Sequence, residues 1–200
     1  SDMFAMSFAT SHKDMGEQKV EIMKDKPEIH FKKWNGEVDI GVSYENLAAE
    51  ATASSTSERT EWKGEKEEVH AYSLPATDGM EDGGYEIDVV LLEKPETNLF
   101  DFTLTGTDNL DFFYQPELTE DEVKEGAVRP ENVIGSYAVY YKNKKDHREG
   151  HTNYATGKAV HIYRPKIKDA AGSEVWGTLA YAKGILTVEV PQDFLDTATY

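Results

Sequence analysis

The sequence predicts a mostly β, antiparallel, sandwich-like domain of about ten strands, with long loops and at most short helical turns. Three observations carry this. Short apolar runs alternate with polar residues at period 2, the mark of half-buried strands. Turn formers separate these runs at roughly regular spacing. No 3.6-residue apolar period persists over several turns.

Taken in order, residues 1–16 have no clear period and read as a flexible N-terminal arm, leaving 17–200 as one β-rich domain. Lys19 to Met23 alternates, with Val20 and Ile22 on one face. Glu28 to Trp34 follows Pro27, and Glu37 to Tyr44 follows Asn35-Gly36, a strong short hairpin signal. Val38, Ile40 and Val42 then face one way and Glu37, Asp39 and Gly41 the other. Glu45 to Glu58 is the best helix candidate, but the Thr/Ser run from Thr52 to Ser57 stops it within a turn.

Lys66 to Leu74, Tyr85 to Glu93, Leu99 to Thr105 and Leu110 to Tyr114 read as strands. Residues 76–84 between the first two form a Gly-rich turn. Pro116 to Glu131 is acidic and poor in apolar residues, a surface excursion and a candidate sub-boundary. Val133 to Lys142 resumes the pattern, and Asn143 to Tyr154 is a charged insertion. Lys158 to Arg164 ends at Pro165, which places that end at an edge or bulge. Glu174 to Tyr181 and Ile185 to Val190 flank Ala182-Lys183-Gly184 as a hairpin, and Pro191 opens a helical turn.

Composition narrows the function classes. The chain carries 21 basic and 38 acidic residues, a net charge of −17. That field repels nucleic acid and anionic membrane surfaces. Its simplest consequence is solubility; the sharper one is divalent-cation binding by clustered carboxylates. There is no cysteine, which excludes disulfides, thiolate zinc sites and cysteine nucleophiles. No run approaches the ~18 apolar residues of a membrane helix. The first residues lack a basic region and a long apolar core, so they are not a signal peptide. Both termini read as cuts in a longer polypeptide.

The segment Gly184-Ile185-Leu186-Thr187-Val188-Glu189-Val190-Pro191-Gln192-Asp193-Phe194-Leu195-Asp196-Thr197-Ala198-Thr199-Tyr200 carries a family pattern. It resembles a β-rich module of bacterial giant surface proteins, of the wall-associated and Rhs type and from uncultured bacteria. There a strand leads to a turn with an aromatic-Leu pair, matched here by Phe194-Leu195. Val38-Asp39-Ile40, Tyr85 to Leu91 and Phe100 to Leu104 fit the same pattern. The resemblance implies a non-catalytic structural or adhesive module, extracellular or on the cell surface, joined to neighbouring domains of the same polypeptide. A virion or tail component and a carbohydrate-binding module are the alternatives. A homo-oligomer contact or a surface glycan is the further partner expected.

Candidate chemistry is sparse. His147 and His151 stand four apart, a zinc spacing on a helix, but Gly150 and the charged surroundings favour a loop. Asp78, Glu81 and Asp82 sit in a Gly-rich turn and offer calcium its oxygen ligands; Asp108 with Asp111 is a looser case. Trp34, Trp62 and Trp176, with Tyr140, Tyr141 and Tyr163, are candidates for a sugar-stacking platform or for the core. His30, His70 and His161 lie on predicted strands and read as sheet residues. No nucleophile elbow, phosphate loop or dinucleotide fingerprint is present, so no catalytic residue is assigned.

Overall fold

The computed structural model describes residues 4–9, 18–33, 36–47, 52–56, 59–75, 84–142, 147–149, 152–154 and 158–200. The first strands in chain order are β1 (Phe4–Ala9), β2 (Gln18–Ile22), β3 (Glu28–Lys33), β4 (Val38–Tyr44), β5 (Thr52–Ser55) and β6 (Thr60–Lys63). Next come β7 (Glu67–Leu74), β8 (Gly84–Leu91), β9 (Leu99–Thr105), β10 (Leu110–Tyr114), helix α1 (Glu120–Lys124) and β11 (Tyr137–Tyr141). The rest are β12 (His147–Glu149), β13 (Thr152–Tyr154), β14 (Lys158–Ile162), β15 (Lys166–Lys168), β16 (Glu174–Trp176), β17 (Thr178–Ala182), β18 (Ile185–Glu189) and helix α2 (Gln192–Thr197).

The expected antiparallel sandwich-like fold is present. One sheet runs β10-β11-β14-β1-β8-β7-β6-β5, with β15 pairing β1 and β16 at the side. The second runs β17-β18-β9-β4-β3-β2, and β12 and β13 form a separate ribbon. Apolar side chains at every second position meet between the two large sheets. Val38, Ile40, Val42 and Tyr44 face Val69, Ile87 and Val89 in one continuous cluster with Phe100, Phe102 and Val188. That cluster includes Leu110 and Tyr137 from either side of residues 116–131.

Four sequence expectations change. Phe4–Ala9 is not a loose arm: it pairs β8 over six residues and touches β14 and β15. Large and small residues alternate along Phe4-Ala5-Met6-Ser7-Phe8-Ala9, a period-2 signal, but only pairing with distant strands makes it a strand. Thr52–Ser55, read as part of a loop that stops a helical turn, is an exposed edge strand on β6, as its β-branched and small residues allow. The excursion at 116–131 holds α1, where the Thr119 side chain accepts from Glu122 N–H and Glu122 reaches back to the Thr119 N–H.

The fourth change concerns Glu174 to Tyr181, read as one strand. It breaks at Gly177 into β16, in the first sheet, and β17, in the second. A Cβ at 177 would meet Ile167 Cδ1 at 3.0 Å and Pro165 Cγ at 3.1 Å, so any larger residue would have to push these neighbours back by a few tenths of an ångström. The following hairpin turns on Lys183 (φ 48°) and Gly184 (φ 83°), both left-handed, as a two-residue turn between twisted strands requires.

Asp169 fixes the chain beyond α2. Its carboxylate accepts from Thr199 N–H at 3.0 Å, Ser173 N–H at 2.9 Å and Ala171 N–H at 3.1 Å. The Thr199 bond first, then those from Ser173 and Ala171, hold its pKa below the ordinary value against the opposing effect of burial. Asp169→Ala is expected to speed amide exchange at Thr199 and Ser173 while leaving β9 protected; unchanged exchange at Thr199 would refute the clamp.

Candidate functional site

A cavity of about 490 Å³ opens at one end of the sandwich, where both sheets contribute a wall. Local chain geometry builds it. Gly64 N–H donates to Glu67 O at 2.9 Å, closing a tight turn between β6 and β7. Leu47, just past β4, lies over that turn; a Cβ on Gly64 would sit 3.0 Å from Leu47 Cδ1. Leu92 N–H donates to Lys66 O at 2.9 Å and brings residues 93–97 to the opposite rim. The floor is apolar: Leu47, Leu91, Pro95 and Phe100.

Glu67 is the central polar group. It stands at the start of β7, paired in register with Leu91. Tyr44 is buried at the end of β4 against the Phe102 ring, with centroids 5.1 Å apart. Its hydroxyl donates across the sandwich to Glu67 Oε2 at 2.8 Å. Burial raises the Glu67 pKa, and the Tyr44 bond offsets this only in part. Burial first, then the Glu67 charge, pushes the Tyr44 phenol far above its usual range. Around them Lys66 pairs with Glu93 at 3.8 Å, and Lys94 turns away to Asp196 at 2.6 Å. Glu65, Glu67 and Glu96 have no ion-pair partner among the described residues, so the cavity is net acidic.

Two histidine clusters lie elsewhere. On the outer face of the second sheet, Ser43 Oγ donates to Glu28 Oε1 at 2.5 Å, and Glu28 Oε2 lies 3.0 Å from His30 Nε2. Burial would raise the Glu28 pKa, but the Ser43 and His30 bonds outweigh it and the net shift is downward. The serine proton goes to a carboxylate rather than to histidine, so this is a structural ladder. In the first sheet, Ser136 Oγ lies 2.7 Å from His161 Nε2 and 2.5 Å from Val133 O. A hydroxyl has one proton, and the carbonyl can only accept it. His161 Nε2 must therefore carry hydrogen and donate to Ser136. A general base for serine needs the reverse polarity. Burial first, and the Lys158 charge second, lower the His161 pKa to about 4, keeping it neutral at pH 7.

The sequence candidates separate. Trp62 is 1% exposed and donates from Nε1 to Lys24 O at 3.2 Å; it is a core residue and offers no face to a sugar. Trp176 is half-buried, with the Arg164 guanidinium 4.0 Å over its ring and Lys166 Nζ at 4.9 Å. That cation–π contact occupies a ring face a sugar would need. Tyr140 meets Phe113 edge-on at 5.7 Å. Trp34, Asp78, Glu81, Asp82 and His151 lie outside the described residues, and His147 stands in β12, in register with Tyr154. Asp108 lines a smaller cavity of about 200 Å³ with Glu37 and Asp39, and Asp111 is not part of that lining. Among the described residues no three His, Asp or Glu side chains gather closely enough to hold a metal ion.

Sequence reasoning missed the Tyr44–Glu67 pair. Tyr44 continues the inward alternation of Val38, Ile40 and Val42, so its burial was readable; its partner, 23 residues on and in the other sheet, was not. No protein-family model, curated protein or solved structure matches the chain.

Proposed function

We propose that this chain is a non-catalytic structural or adhesive module of a larger extracellular or cell-surface protein. The observation that carries the non-catalytic part is the proton direction in the Ser136–His161 pair. The serine's hydrogen is committed to Val133 O, and His161 donates where a base would accept. The Ser43–Glu28–His30 chain is spent on cross-strand bonding in the same way. The surface location rests on the resemblance of residues 184–200. One observation favours a second reading, a subunit of a particle. Edge strand β10 presents Phe113 and Tyr114 at 48% and 50% exposure, and an open edge with apolar side chains can pair with another subunit.

The purified chain is expected to turn over no chromogenic ester, glycoside or phosphate ester above buffer, and to sediment as a monomer at micromolar concentration. A rate that disappears in His161→Gln or Glu67→Gln would overturn the non-catalytic reading. Closed rings or filaments dispersed by Tyr114→Lys would replace the surface module with the particle subunit.

A further inference from the structure

We propose that the cavity at the end of the sandwich binds a small organic ammonium ion, a protonated amine carried on a short apolar body. The cavity has both halves of such a site. Leu47, Leu91, Pro95 and Phe100 give it an apolar lining contributed by both sheets. Above that floor stands Glu67, whose Oε2 is taken by Tyr44, while no described side chain or backbone group bonds its Oε1. An ammonium N–H reaching Oε1 would complete the carboxylate's hydrogen bonding and supply the charge it lacks.

The cations already present leave that place open. Lys66 Nζ lies 3.8 Å from Glu93 in an exposed pair on the rim, and Lys94 pairs with Asp196 at 2.6 Å. Glu65 and Glu96 add negative potential without an ion-pair partner among the described residues. Burial raises the Glu67 pKa, because its charge is held partly away from water and the Tyr44 bond offsets this only in part. An anion or a neutral polar ligand would meet three uncompensated carboxylates; a hydrated metal ion would meet an apolar floor. A volume of about 490 Å³ lies within the range of small-molecule sites. A chain or ring of several carbons fills the floor, and one charged nitrogen fixes its direction.

The test titrates the full chain at pH 7 with hexylammonium chloride and, separately, with 1-hexanol, following backbone amide shifts. Hexylammonium should saturate one site, moving the amides of Gly64, Glu67 and Leu91, and bind at least about tenfold more tightly than hexanol, the ratio a charge-assisted hydrogen bond provides. Glu67→Gln should abolish that ratio, and 0.5 M sodium chloride should weaken binding without removing saturation. The wild-type comparison needs no variant, so it decides the matter even if Glu67→Gln fails to fold. Equal affinity for the amine and the alcohol, no saturation, or undiminished amine binding by folded Glu67→Gln would each overturn the proposal.

Discussion

Replacing Trp62 with alanine is expected to destabilise the domain by about 4 kcal/mol. Trp62 stands on β6 opposite Val69 of β7 and joins the same buried cluster as Ile29 and Val89. Truncation removes its buried area and leaves a void that rigid sheets on both sides cannot close. It also strips the Lys24 carbonyl of its indole donor. Urea unfolding should show a large fall in midpoint with little change in slope. Trp62→Phe should recover most of the loss, because the ring refills the void and only the N–H bond is missing. A loss below about 1 kcal/mol in Trp62→Ala would mean that the side chain is not in the core.

Acid should weaken the fold well above the carboxylate range, and His161 is the reason. Its pKa is about 4 in the folded chain against an ordinary 6.5. As pH falls below 6.5 the unfolded chain takes up this proton first, so stability falls with pH. The contribution is fully present above 6.5, declines between 6.5 and 4, and is lost below that window. A displacement of this size corresponds to about 3 kcal/mol. At 7% exposure the residue is little screened by solvent. Glu28, lowered from 4.5, gives a loss of the same sign only below 4.5. Glu67, raised, acts in the opposite direction, losing stability as pH rises above 4.5. Urea midpoints measured from pH 7.5 to 4.5 should fall steadily in the wild type and stay nearly flat in His161→Gln. Parallel slopes in the two proteins would refute the assignment.

Much of the fold was legible wherever one face of a strand is buried and the other wet. Leu99–Thr105 begins and ends where its alternation does, and Leu110–Tyr114 where its aromatic run does. Pro191 preceding α2 and the Lys183-Gly184 turn were readable because backbone chemistry alone dictates them. The capping box of α1 was equally local: Thr119 and Glu122 stand three apart in an acidic stretch, and overall charge masked the signal. What was not legible depends on partners far away in the chain. Phe4–Ala9 takes its place from β8, roughly 80 residues on. Glu67 is one of 38 acidic residues and nothing in its neighbourhood sets it apart; a tyrosine in the opposite sheet does.

The crossing at Gly177 has a mechanical consequence. Three residues before it are woven into one sheet and five after it into the other, so a short covalent strut spans the gap between layers. Gly177 N–H is itself tied to Pro165 O at 2.9 Å, which leaves the strut no slack. Shear that slides one layer over the other therefore pulls on this strut and on the three-residue β15–β16 pairing that anchors it. A load applied to one face is thereby passed in part to the other.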